Sequence, residues 1–135
     1  DLLLEAVSDR VGPVEASVTG DLREDLIGLV VHLGELLGSE PVGSVAAALI
    51  LESRRDPALD EVRRRFIGRR RGAAARVIGS GIDRAILDPG TDPDALADEL
   101  ASPVFFRSLV LHESVERDWA EAHVDRWLDR HGGAR

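Results

Sequence analysis

Apolar residues recur along this chain at helical spacing, and the breaks between them carry residues that start and stop helices. From residue 21 the positions Leu22, Leu26, Leu29, Val30, Leu33 and Leu37 form one stripe. Asp21 is placed to cap its first turn, with Glu24 three residues on in a capping-box arrangement. Gly38 is a natural residue to close this helix. Pro41 stands near the start of the next one, where Val45, Ala48, Leu49 and Glu52 share a face, and the pattern runs out near Arg55. Asp56-Pro57 pairs an N-cap carboxylate with a proline at the first helical position. A long helix is predicted from there to about Leu87, with Val62, Phe66, Ala73, Ala74, Val77 and Ile78 facing inward. Gly68, Gly72, Gly79 and Gly81 weaken its propensity and predict a kink near residues 79–81.

Asp88-Pro89-Gly90-Thr91 reads as a turn, and Asp92-Pro93 repeats the start signal for a helix through Leu96 and Leu100. Ser102-Pro103 predicts either a kink or two shorter helices, with Val104 to Leu111 continuing the apolar face. Ser114 is the predicted cap of a last helix, acidic at its start (Glu116, Asp118), basic at its end (Arg130, His131) and closed by Gly132-Gly133. Residues 8–20 read as a loop. Asp1–Val7 is amphipathic from its first residue in a chain without methionine, and is expected to be the remnant of a helix that begins upstream. The pattern predicts about six helical segments in an all-α domain over residues 21–135.

Composition agrees with that class. Leu, Val, Ala and Ile dominate, with three Phe, two Trp and no Tyr, and the β-branched residues never alternate with period two. The net charge of −8 makes the chain as a whole repel nucleic acid. The absence of Cys excludes disulfides, thiolate nucleophiles and Cys-based metal sites, and fits a cytoplasmic protein. No stretch approaches the ~18 uninterrupted apolar residues of a membrane span. Every cation is Arg, best read as the coding bias of a GC-rich genome.

The candidate chemistry is sparse. His112-Glu113-Ser114-Val115-Glu116 has the outline of a zinc-binding helix motif, but it spans the predicted helix break, where i, i+4 spacing loses its meaning. Gly79-Ser80-Gly81 begins like a dinucleotide-binding loop, yet it lacks the third Gly and follows a helix where a strand is required. No Ser has a positioned base and no carboxylate pair converges, so no enzyme is predicted, and neither metal nor cofactor. Residues 63–71 hold six of the seventeen Arg around most of a helical wheel. They read as a solvated face paired with Asp60, Glu61 and Glu52, from which one cation, Arg70 for example, can reach into a pocket toward an anionic ligand. His32, on the flank of the strongly apolar first helix, is the polar residue best placed at the wall of an apolar cavity.

The order of these segments resembles the body of TetR/AcrR-type transcriptional regulators. Ile82 to Leu100, with its acidic turn and Asp92-Pro93, is similar to the link between that family's long central helix and its first dimerisation helix. Arg84-Ala85-Ile86-Leu87 stands where the family carries an Arg-Gly-Glu-Leu-like end. Ser102-Pro103-Val104-Phe105-Phe106-Arg107-Ser108-Leu109 resembles its Gly-Pro-Leu-aromatic-aromatic-Arg segment, and His123-Val124-Asp125-Arg126-Trp127-Leu128 its last helix. The resemblance implies a ligand-binding and homodimerisation domain over 21–135. In it, residues 1–7 would connect to a helix-turn-helix head absent from this chain, so DNA would be met only through that head.

The expected dimer forms through the last two helical segments as a four-helix bundle. Phe105 and Leu109 share one edge of segment 104–111, while Phe106 and Val110 share the next, about 100° round. The expected interface residues are Phe106, Val110, Ala120, Val124, Trp127 and Leu128. The expected pocket residues are His32, Leu36, Leu49, Phe66, Arg70 and Phe105, suited to a small, largely hydrophobic effector. The alternative is a helical protein-interaction module without a cavity.

Overall fold

The computed structural model describes residues 18–133, which form five α-helices and one π-helical turn. Helix α1 runs Leu22–Gly38, α2 Val42–Glu52, α3 Pro57–Asp83, α4 Pro93–Phe105 and α5 Arg117–His131; the π turn, Phe106–Val110, directly continues α4. The predicted remnant over 1–7 and residues 8–17 of the predicted loop lie outside the described residues, and Val18 to Gly20 are non-helical.

The aspartate start signals act as read. The side chain of Asp21 accepts from the Glu24 N–H (3.1 Å), Asp56 from Ala58 (3.0 Å) and Asp92 from Asp94 (3.1 Å), each satisfying a donor with no partner inside its helix. Two predicted ends differ. Gly38 is the last helical residue of α1, with Ser39 as its cap. Helix α3 stops at Asp83, short of Leu87, because Ala85 takes a left-handed conformation (φ 60°). The N–H groups of Ala85 and Ile86 return to the carbonyls of Ile82 and Gly81 (both 2.9 Å), a Schellman closure with alanine where glycine is the usual signal. At Gly81 itself an added Cβ would lie 2.8 Å from Leu22 and 2.9 Å from Leu87. This glycine therefore permits close packing within an uninterrupted α3, and the helix is not broken at residues 79–81.

Helix α1 is the axis of the domain, packing against all four other helices and the π turn. That is why its apolar surface is a broad band, with Leu22, Leu26, Ile27, Val30, Leu33 and Leu37 all buried. Helix α2 is apolar nearly all round, so periodicity misplaces its inner face. Val42, Gly43, Ala46 and Leu49 are buried, whereas Ala48 and Glu52 are exposed. Gly43 decides this, since its backbone lies so close to the Leu37 carbonyl that a Cβ would collide with it.

Pro103 does not divide α4. The helix passes through it to Phe105, and the irregularity follows as the wider turn, closed by Leu111 N–H to the Phe106 carbonyl (3.1 Å). The last helix begins two residues later than predicted, with Glu116 at the cap position, while Ser114 donates to the Glu116 carboxylate (2.9 Å). Residues 111–116 form a non-helical link, and His112 within it is left-handed (φ 55°). Arg107 fastens the link by donating to the Ser114 carbonyl (2.8 Å), pairing with Glu113 (2.9 Å) and lying 5.2 Å over the Trp119 ring. Val115 from the link packs on Gly34 of α1, where an added Cβ would lie 2.7 Å and 3.0 Å from its two methyl carbons.

Among the described residues, no single helix is long and apolar enough to cross a membrane.

Candidate ligand cavity

Where α3 crosses α4, the facing side chains are small. Ala73 and Ala74 stand on one helix, Ala97 and Ala101 on the other, and all four line a partly open cavity of about 260 Å³. Alanines on both sides of a helix crossing leave volume that larger side chains would fill. Helix α1 closes the third side with Leu29, Val30, His32 and Leu33. Ile67 and Arg70 complete the α3 wall, and Leu100, Val104 and Phe105 complete that of α4.

The lining is mainly apolar, with its polar groups concentrated on α3 and α4. Arg71 and Asp98 bridge the two helices at the cavity. The guanidinium donates from Nε to Oδ1 (2.7 Å) and from Nη2 to Oδ2, a bidentate pair. This hydrogen bond holds the Asp98 carboxyl below the usual carboxylate range and raises the Arg71 guanidinium, while half of each side chain stays exposed. Ser102 turns its hydroxyl back to the Asp98 carbonyl, one helical turn earlier. Arg70 is different in kind. Its Nε and Nη1 are buried, its guanidinium carbon lies 5.5 Å from the centre of the Phe66 ring, and burial, with Arg69 beside it, lowers its pKa to about 10. It therefore stays protonated at neutral pH as a cation set against apolar walls.

Of the expected pocket residues, the structure brings His32, Arg70 and Phe105 to the cavity, with His32 itself exposed. Leu36, Leu49 and Phe66 do not line it. Leu49 is buried in the core, Leu36 packs with Val42, and Phe66 lies behind the cavity beneath Arg70. The alanines escaped sequence reasoning because they carry no chemistry, and their signal is a shortage of volume at a crossing that must first be known. The arginine run is otherwise the paired face expected. Arg63 and Arg64 meet Asp60, and Arg64 and Arg65 meet Glu61; among the described residues no ion pair to Glu52 forms.

The expected interface residues divide. Ala120 and Val124 are wholly buried and Trp127 is 2% exposed, all three inside the core of the single chain. Their stripe faces α1 and α4 of the same molecule, so they form no surface for a partner. Leu128 is partly buried against that core, while Phe106 (55%) and Val110 (61%) are exposed on the π turn.

Residues 17–127 match the family model described as the tetracyclin repressor-like C-terminal domain. The chain belongs to this TetR family of C-terminal domains. This TetR-type domain is 32% identical over 111 residues to uncharacterized HTH-type transcriptional regulators of Mycobacterium bovis and Mycobacterium tuberculosis, covering 79% of this chain and 52% of theirs. It thus spans about half the length of these curated relatives. The crystal structure of the TetR family transcription regulator SCO0332 superposes with a TM-score of 0.77 at 27% identity, over 93% of this chain and 68% of that one. These relatives are transcriptional regulators, not enzymes.

Proposed function

We propose that this TetR-type domain is the effector-sensing and homodimerisation body of a one-component transcriptional regulator acting in the cytoplasm. A small, largely hydrophobic molecule occupies the cavity among α1, α3 and α4 and changes how a helix-turn-helix domain, named in the relatives but outside this chain, binds DNA. The cavity carries the reading. At about 260 Å³ it approaches the size of small-molecule sites, and its apolar lining with a few convergent polar groups is their usual composition. It supports a sensor over an interaction module, which would fill its core. The net charge of −8 supports leaving DNA contact to another domain.

The dimer is supported by the exposed apolar side chains Phe106 and Val110, which extend from the end of α4. Adjacent exposed apolar side chains of this kind are what a self-complementary interface covers.

The test is thermal. Small apolar compounds should raise the melting temperature of the wild-type chain, since binding only to the native state stabilises it. Ala101→Phe fills the cavity and should abolish the shift while the domain stays folded. A broad compound set that shifts neither protein, or both equally, would overturn the cavity as the sensing site.

A further inference from the structure

We propose that the paired side chains of Arg71 and Asp98 are the gate of the cavity, a strut across its opening that sets how fast an effector enters and leaves but not how tightly it binds. This rests on the sensor reading and adds the regulation of that same site.

A cavity opens where its lining meets solvent. Val30, Leu33, Ala73, Ala97, Leu100 and Val104 are buried and form the floor. The exposed lining residues are all polar: His32 on α1, Arg71 on α3 and Ser102 on α4, with Asp98 half exposed one turn before Ser102. Across this edge Arg71 donates from Nε and Nη2 to the two carboxylate oxygens of Asp98, and the parallel bonds fix both ends of the bridge. Ala74 follows Arg71 by three residues and Ala101 follows Asp98 by three, so each half of the bridge shares a helix face with an alanine of the cavity wall.

The position of the strut separates rate from affinity. Exposed ion pairs are weak and water replaces their hydrogen bonds, so the strut breaks readily and re-forms. It is present over the empty cavity and again once a ligand lies beneath it, and its contribution cancels between those two states. Only while a ligand passes between α3 and α4 is it missing. Weakening the strut therefore speeds entry and exit by the same factor.

The experiment is stopped-flow fluorescence of the intact 135-residue chain with 1-naphthol, an uncharged probe. Its two rings suit a cavity of about 260 Å³, set against the roughly 150 Å³ in which an apolar protein cavity binds benzene. Asp98→Asn and Arg71→Gln, which weaken the strut from either end, should each raise the association and dissociation rates by about two- to fivefold and leave Kd within about twofold. Raising the ionic strength from about 0.02 M to about 0.5 M should bring the wild-type rates toward those of the two variants. Arg23→Gln breaks a comparable exposed bridge, from α1 to Asp125 on α5, and should leave both rates as in the wild type. Unchanged rates in both strut variants overturn the gate while leaving the cavity reading intact. A change confined to the dissociation rate, with Kd moving by the same factor, overturns it as well, because the pair is then a ligand contact. Equal acceleration by Arg23→Gln also overturns it, by assigning the effect to general loosening. Absence of 1-naphthol binding, or binding that survives Ala101→Phe, overturns the cavity reading on which the gate stands.

Discussion

The indole Nε1 of Trp127 donates a hydrogen bond to the main-chain carbonyl of Leu96, 3.2 Å away on the neighbouring helix. One turn earlier on α5, His123 repeats the contact, its Nε2–H donating to the Leu100 carbonyl at 2.8 Å. A carbonyl can only accept, so this hydrogen bond sets the His123 tautomer. The two rings clip α5 to α4 beside the helix segment that carries the cavity residues Ala97 and Leu100, tying the last helix of the chain to the cavity wall.

Trp127 is therefore expected to act on stability. Trp127→Phe keeps most of the apolar volume but loses the indole hydrogen bond, and should cost about 1–3 kcal/mol in urea unfolding. Trp127→Asp places an unpaired carboxylate in the core and should leave the chain unfolded. A Trp127→Asp chain that folds normally and sediments as a monomer would return this residue to the subunit interface.

The surface of the π turn carries the opposite expectation. Phe106→Asp combined with Val110→Asp removes two exposed apolar groups and disturbs no core packing. Sedimentation should change from dimer to monomer while helix content stays the same. Leu51→Asp, at an exposed apolar position on α2, should leave the dimer intact. A doubly substituted chain that still sediments as a dimer would remove the π turn from the interface.

Acid should loosen the links between helices. Hydrogen bonds from Arg71 and Arg23 hold the carboxyls of Asp98 and Asp125 below the usual carboxylate range, joining α3 to α4 and α1 to α5. Groups depressed in the folded state contribute stability that is present above their unfolded pKa of about 3.9. That stability is lost as the pH falls through the folded value. Both pairs are exposed, so the effect is small and weakened by salt. Asp98→Asn should lower the melting temperature slightly at about pH 7 and narrow the difference between pH 7 and pH 3. An unchanged difference would show that the Arg71–Asp98 strut contributes nothing.

By itself the sequence determined the all-helical class and the three aspartate caps. It also identified His32, Arg70 and Phe105 as candidates for one pocket. A cap is legible because an aspartate and the N–H it satisfies lie two or three residues apart, as at Asp21, Asp56 and Asp92. Tertiary structure decided what depends on distant neighbours. The stripe of Ala120, Val124 and Trp127 reads equally well as core or interface, and only the placement of α1 and α4 against it makes it core. The six clustered arginines look alike in sequence. The crossing of α3 over α4 sends Arg71 to Asp98 and buries Arg70 beside the cavity, while Arg63, Arg64 and Arg65 stay with acids on their own helix. Small residues meeting at that crossing make the cavity, and neither helix alone records that the other also carries alanine there.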